Sequence, residues 1–148
     1  MRSCGECNVC CSILEVKELE KKFNQRCPHL CERGCGIYET RPQACREWFC
    51  VWVVGTAPDA ERPDRSGVVL EQAHAHAANG KAGVMPVVAY EIRPGAFDSY
   101  WGDRMLKRLS RKLLIGLVPF GGEQPTRFIG PPEQLRADVE WVRAPTRD

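Results

Sequence analysis

The chain has 148 residues and a mass of 16.7 kDa, enough for one domain or for one domain with a second, small folded unit. Its content of 43% hydrophobic and 27% charged residues is ordinary for a folded protein and excludes wholesale disorder. With 21 Lys and Arg against 19 Asp and Glu, the net charge of +2 predicts no strong general attraction to nucleic acid or to membranes.

The first part of the chain predicts loops that hold two short helices. Ser12 and Glu15 have the spacing of a capping box, which predicts that a helix starts behind Ser12. Val16, Leu19 and Phe23 recur at helical spacing and would share the buried face of this helix.

The second short helix is predicted to begin at Thr40 and to run through Trp48. Pro42 would lie in its first turn, where proline is favoured. Between the two helices, Cys27-Pro28 and Gly34-Cys35-Gly36 exclude long regular structure.

Residues 55–65 have the Pro, Gly and Asp content of a loop and are predicted to link a module at 1–54 to a second part at 66–148. The second part alternates strand-like and helical patterns. Its predicted elements are strands Val68–Leu70 and Val84–Ile92 around a hairpin turn at Asn79-Gly80, a helix Phe97–Leu114, strands Leu117–Phe120 and Thr126–Ile129, and a helix Pro132–Arg143. The predicted fold class is α+β: a metal-stapled module of loops and short helices, then a small antiparallel sheet with one or two helices, packed as one compact unit.

The helix predicted at 97–114 has an apolar and a basic face. The apolar face consists of Trp101, Met105, Leu106, Leu109 and Leu113. The basic face consists of Arg104, Lys107, Arg108, Arg111 and Lys112. This face could dock an acidic partner or a nucleic-acid backbone, but the small net charge favours a solvated helix surface.

All nine cysteines lie between Cys4 and Cys50, and the following 98 residues contain none. Met1-Arg2-Ser3 leads straight into Cys4 without the apolar segment of a signal peptide, and no apolar run approaches the roughly 18 residues of a membrane span. We therefore expect a cytoplasmic chain with reduced thiols, a setting in which clustered cysteines favour metal binding over disulfides.

The cysteine spacing is Cys4-x2-Cys7-x2-Cys10-Cys11, then Cys27-x3-Cys31-x3-Cys35, then Cys45-x4-Cys50. Two residues between cysteines let a tight turn aim both sulfurs at one point, which suits tetrahedral zinc and iron–sulfur clusters alike. The adjacent Cys10 and Cys11 are poorly placed to bind the same small ion, so they could serve two centres, or one could support the other. Spacing alone leaves iron–sulfur, zinc and simple structural cysteines open.

These residues resemble a known family. The segments CGECNVCC, CPHL and GCGIYETRPQACREWFC are similar to the YkgJ-like CxxCxxCC cysteine-cluster family over residues 4–50. The family is described as zinc- or iron-chelating and is often named as iron–sulfur protein; the flagellin lysine N-methylase contains a similar domain. The positions that match its cysteines are Cys4, Cys7, Cys10, Cys11, Cys27, Cys35, Cys45 and Cys50. The surrounding signature is matched by Ile37, Tyr38, Arg41, Pro42 and Arg46.

The resemblance implies that these eight cysteines chelate metal, and it leaves Cys31 outside the ligand set. Arg41 and Arg46 could offset the negative charge of the thiolates, or could pair with Glu39 and Glu47 at the surface.

Other side chains near the cysteines have simpler interpretations. His29 is expected to form hydrogen bonds near the site rather than to bind metal. His74 and His76 could form a metal pair on a strand, although two surface histidines beside a turn are favoured. Trp48, Phe49 and Trp52 are expected to form a dry lid over the metal.

Three functions follow as hypotheses. The first is an iron–sulfur protein, possibly with a [4Fe–4S] cluster, for electron transfer or redox sensing with a protein partner. The second is a zinc-stapled interaction module without enzymatic activity. The third, an accessory role in protein lysine methylation, rests on the resemblance alone. The sequence contains no phosphate-binding loop, dinucleotide fingerprint or H-E-x-x-H motif, so it assigns no enzyme class, and no nucleic-acid or membrane partner is expected.

Overall fold

A computed structural model describes residues 4, 6–32, 34–55, 57–72 and 87–135. The described chain contains helices and two sheets, which confirms the α+β class. The helices are α1 (Cys10–Ile13), α2 (Gln43–Glu47), α3 (Val51–Val54), α4 (Pro63–Ser66), α5 (Tyr100–Leu109) and α6 (Pro132–Leu135), with 3-10 turns at Lys17–Leu19, Tyr38–Thr40, Asp59–Glu61 and Ala96–Asp98. The strands are β1 (Leu30–Cys31), β2 (Gly34–Cys35), β3 (Val68–Gln72), β4 (Val87–Glu91), β5 (Ile115–Val118) and β6 (Arg127–Ile129).

The larger sheet has four strands in the order β3-β4-β5-β6, and β1 pairs with β2 separately. The pairs β3–β4 and β5–β6 are antiparallel, but β4 and β5 are parallel. The prediction of an antiparallel sheet is therefore wrong for the central pair. Parallel neighbouring strands require the chain to return to the end of the sheet where the first strand began. The connection between β4 and β5, which contains α5, makes this return.

Both faces of this sheet are buried. Val68, Val87 and Ile115 belong to a core that includes Met105 and Leu106 of α5. The alternate residues pack in a second core against the cysteine-containing part of the chain; its buried members are Val9, Ile13, Val69, Val88, Tyr90 and Val118. The continuous apolar runs of β3, β4 and β5 follow from this arrangement, since a strand covered on both sides needs no polar face.

Helix α5 is shorter than the predicted 97–114. Its N-cap is Ser99, whose Oγ accepts a hydrogen bond from the backbone N–H of Gly102 at 3.1 Å. The helix ends at Leu109 because the chain must turn before β5 starts at Ile115. The predicted apolar face is wrong for Trp101, which is 38% exposed, whereas Met105 and Leu106 are buried.

The first predicted helix is also wrong. Ser12 lies inside α1, and the preceding Val9 caps that helix without a side-chain hydrogen bond. Leu14 is extended, and Val16 then pairs with Lys21 in an isolated antiparallel bridge around a single 3-10 turn. A backbone hydrogen bond closes this loop, because the Cys27 N–H donates to the Cys11 carbonyl at 2.8 Å.

The second predicted helix is found at α2, five residues long, with Pro42 as its N-cap. The segment predicted as a linker at 55–65 contains a 3-10 turn and the first residues of α4. Glu61 in this turn is only 3% exposed and forms an ion pair with Arg108 of α5. The segment is thus packed against the helix that covers the sheet.

Several predictions lie wholly or partly outside the described residues. They are the hairpin turn at Asn79-Gly80, the pair His74 and His76, the start of the strand predicted at Val84–Ile92, and residues 136–143 of the last predicted helix.

Candidate metal centre

A cavity of about 410 Å³ opens between the cysteine-containing loops and the sheet. All eight cysteines that match the family pattern line its wall: Cys4, Cys7, Cys10, Cys11, Cys27, Cys35, Cys45 and Cys50. The ninth, Cys31, does not line it; this residue is exposed on β1, and its thiol donates to the Gly34 carbonyl at 3.2 Å.

The first four cysteines reach the cavity through short local structure. The backbone N–H of Cys7 donates to the Cys4 carbonyl at 3.0 Å, which closes the turn of the first C-x-x-C pair. Cys10 and Cys11 are the first two residues of α1. Because successive helical residues point about 100° apart, the two side chains leave the helix in different directions.

The last four cysteines come from separate segments. Cys27 lies beside Cys11 through the backbone hydrogen bond described above, and Cys35 is on β2. Cys45 lies in α2, and Cys50 precedes α3, where it forms an isolated bridge with Glu71 of β3. The bridge connects the cysteine loops to the edge of the four-stranded sheet.

In the described ranges, no three His, Cys, Asp or Glu side chains already converge as they would around a metal ion. The eight thiols share the wall of one cavity rather than a preformed coordination sphere. Their donor set, soft sulfur with mainly apolar neighbours, nevertheless suits zinc and iron–sulfur clusters.

The thiols differ in acidity. Burial raises the pKa of Cys7, Cys45 and Cys50. A hydrogen bond from the Cys10 thiol lowers the pKa of Cys11 to about 7, and the same bond, together with burial, raises the pKa of Cys10. Since metals bind the thiolate form, binding at the buried cysteines must release protons.

Lys21 is a cavity residue that the sequence did not indicate. It is only 3% exposed, and its ammonium group donates to the backbone carbonyls of Leu14 and, at 3.4 Å, of Lys22. Burial lowers the pKa of Lys21, whereas the nearby Cys27, Cys11, Cys45 and Cys10 raise it. In the sequence, Lys21-Lys22 is an ordinary basic pair, so no local signal distinguishes the buried lysine from its exposed neighbour.

Arg41 and Arg46 also line the cavity. Arg46 donates to the backbone carbonyls of Arg41, at 2.9 Å, and Glu39. Arg41 donates to the Tyr38 carbonyl at 2.6 Å and lies 3.9 Å from the centre of the Tyr38 ring. The two guanidinium groups thus hold the turn before α2 in shape beside the cysteines.

Trp48, Phe49 and Trp52 line the same cavity. Trp52 is buried and donates its indole N–H to the Pro58 carbonyl at 3.1 Å, while Phe49 is 44% exposed. Trp48 donates its indole N–H to Glu71 at 2.9 Å. Two of the aromatic residues are thus anchored by hydrogen bonds, and the third faces solvent.

The remaining candidates lie away from this cavity. The His29 side chain does not line it, and its backbone carbonyl accepts a hydrogen bond from Gly36 at 2.8 Å. On the basic face of α5, Lys107 pairs with Asp103 at 2.8 Å and Arg108 pairs with Glu61.

None of the helices in the described ranges has the length and apolar character that crossing a bilayer requires. The chain matches no protein-family model, no curated protein and no solved structure.

Proposed function

We propose that the chain carries an iron–sulfur cluster on the cavity cysteines and serves in electron transfer or redox sensing. One observation carries the proposal: eight cysteines from six separate segments line one cavity, and the ninth does not. These are the eight positions on which the resemblance to the YkgJ-like family rests. The proposal requires a compartment where thiols stay reduced, such as the cytoplasm.

The size and walls of the cavity favour a cluster over a single ion. Its volume of about 410 Å³ far exceeds the roughly 10–15 Å³ that one water-sized species needs. Val9, Leu14, Val16 and Trp52 contribute apolar surface, and Lys21 contributes a buried positive charge. Solvent exclusion and nearby charge are two of the factors that set the reduction potential of a protein-bound cluster, which is the chemistry such a cofactor supplies.

A second candidate, structural zinc, is favoured by a different observation. In the described part of residues 4–50, the longest helix or strand is α2, with five residues. So little regular structure contributes few backbone hydrogen bonds, and small modules of this kind are commonly held together by four-cysteine zinc sites. In this version the protein would bind a partner without redox chemistry.

Anaerobic purification followed by iron, zinc and acid-labile sulfide analysis and a visible spectrum tests the proposal. We expect a brown protein that contains iron and sulfide, and we expect Cys31→Ser to retain both while Cys45→Ser loses them. A colourless protein containing zinc would replace the iron–sulfur proposal with the zinc one. A folded, reduced chain that retains neither metal would overturn both.

A further inference from the structure

The positive charge of the chain is concentrated at α5 and the turn that follows it. Residues 100–112 contain five cations and one carboxylate, so this segment has a net charge of +4, whereas the whole chain has a net charge of +2. The remaining residues together are therefore net negative, at −2. The small net charge of the chain thus hides one strongly basic segment.

Two of the five cations are neutralised within the molecule. Lys107 pairs with Asp103 at 2.8 Å, and Arg108 pairs with the buried Glu61. In the described ranges, the other three cations are exposed and form no ion pair or side-chain hydrogen bond: Arg104 within α5, and Arg111 and Lys112 in the turn after it. Opposite charge for these three must come from salt ions or from another molecule.

An exposed aromatic pair adjoins these cations in the first turn of α5. Tyr100 is 69% exposed and Trp101 is 38% exposed, and their rings pack edge to face with the centroids 4.9 Å apart. Arg104 lies four positions after Tyr100 and three after Trp101, the spacings at which side chains are neighbours on a helix surface. The opposite side of α5, with Met105 and Leu106, packs into the core and holds the helix on the sheet.

We propose that the exposed side of α5 is a docking surface for an acidic segment of another protein, in which the aromatic pair contacts an apolar or aromatic side chain. Carboxylates complement the three cations described above. Tyrosine, tryptophan and arginine are enriched at protein interfaces and dominate their binding energy. The proposal does not rest on the metal site, because α5 covers the face of the sheet opposite to the cysteine loops.

The extent of the charge favours a protein over other polyanions. Nucleic-acid binding relies on many phosphate contacts and is typical of domains with an isoelectric point above about 9. This chain has an isoelectric point of about 8.1, and α5, with ten residues, is only about 15 Å long. Binding to a bilayer surface requires an apolar helix face, but that of α5 is buried against the sheet. A surface of this size suits a weak, salt-sensitive contact.

Fluorescence anisotropy with labelled polyanions tests the surface on the full-length chain as purified. The probes are poly-glutamate, a glutamate–tyrosine copolymer and a single-stranded oligothymidylate, each of the same total charge. We expect the copolymer to bind most tightly, because it offers both carboxylates and aromatic rings, and we expect its affinity to fall as salt is raised. Tighter binding of the oligothymidylate would replace the proposal with a nucleic-acid one, and no binding of either polypeptide at low salt would overturn it.

Charge variants locate the contact. Arg104→Gln/Arg111→Gln/Lys112→Gln should weaken copolymer binding by about tenfold, the loss expected from three exposed ion pairs.

The matched control is Lys17→Gln/Lys22→Gln/Arg26→Gln, which removes three exposed cations from the cysteine-containing part of the chain. Its affinity for the copolymer should stay within about twofold of wild type, since exposed charges outside the contact are screened. Equal losses in the two triple variants would mean that the copolymer responds to overall charge, and the docking surface would be refuted.

Tyr100→Ser/Trp101→Ser separates the aromatic contact from the charge. We expect this variant to bind poly-glutamate as wild type does and to lose the preference for the copolymer, and we expect Tyr100→Ser alone to weaken that preference. Phe120→Ser, which removes a side chain that is 56% exposed outside α5, should keep it. Circular dichroism checks that each variant is folded. An unchanged preference in the folded double variant would contradict the proposed role of the aromatic pair.

Discussion

Lys21 and Lys22 are neighbours in sequence but lie in opposite environments. Lys21 is buried beside the thiols, whereas Lys22 is exposed. Burying an ammonium group is costly unless opposite charge or hydrogen bonds compensate. Two backbone carbonyls provide part of the compensation. In the proposed function, the neighbouring cysteines would provide the rest as thiolates, which are negatively charged.

We predict that Lys21→Met weakens zinc binding at the cavity cysteines by about tenfold to 100-fold, the range typical for residues that support metal ligands. The physical reason is the loss of a buried cation that interacts electrostatically with Cys27, Cys11, Cys45 and Cys10. Competition with a chromophoric zinc chelator measures the affinity.

Lys22→Met is the matched control, because it removes the same charge from an exposed position. Its affinity should stay within about twofold of wild type, since exposed charges are screened by water and salt. Lys21→Arg should restore much of the loss if charge is what counts. Equal affinities in Lys21→Met and Lys22→Met would show that Lys21 does not act on the metal.

At the scale of elements, α5 is joined to the segment before β3 by one charged contact. Glu61 is 3% exposed, and its partner Arg108 retains 48% of its side-chain surface. The carboxylate is thus buried and the guanidinium is half-solvated. Removing the arginine would leave a buried charge without its partner, which costs more than an ordinary surface ion pair is worth.

We predict that Arg108→Ala lowers the free energy of unfolding by about 1–3 kcal/mol. Lys107→Ala, one position earlier on the basic face, should change it by less than about 0.5 kcal/mol, because the Lys107–Asp103 pair is exposed at the helix surface. Urea denaturation of the two variants measures the difference. Equal effects would mean that the Glu61 contact contributes nothing beyond a surface pair.

At the scale of the whole molecule, the four-stranded sheet lies between α5 and the cysteine loops. Val69, Val88 and Val118 face the loops, where Val9 and Ile13 cover them. Without this cover, one face of the sheet would expose apolar side chains to water. The cysteine loops and the sheet should therefore unfold together.

For the metal-loaded protein that we propose, we predict that chelation lowers the midpoint of thermal unfolding and removes amide protection from β5 as well as from residues 4–50. The reason is that loops released from metal no longer cover the Val69–Val88–Val118 face. Hydrogen exchange followed by mass spectrometry, with and without chelator, measures both regions. Unchanged protection of β5 beside fast exchange at 4–50 would show that the two parts fold independently.

Local patterns in the sequence were sufficient to predict the α+β class, the strands around Val69 and Val88, and a helix containing Met105 and Leu106. These features depend on the spacing of apolar residues that are close together in the chain. Cysteine spacing and the family resemblance likewise identified the eight cysteines that line the cavity. Only the tertiary structure decided the parallel pairing of β4 with β5, the exposure of Trp101 and the burial of Lys21. Each of these depends on which distant segment packs against the residue, and a pattern of near neighbours carries no information about that choice.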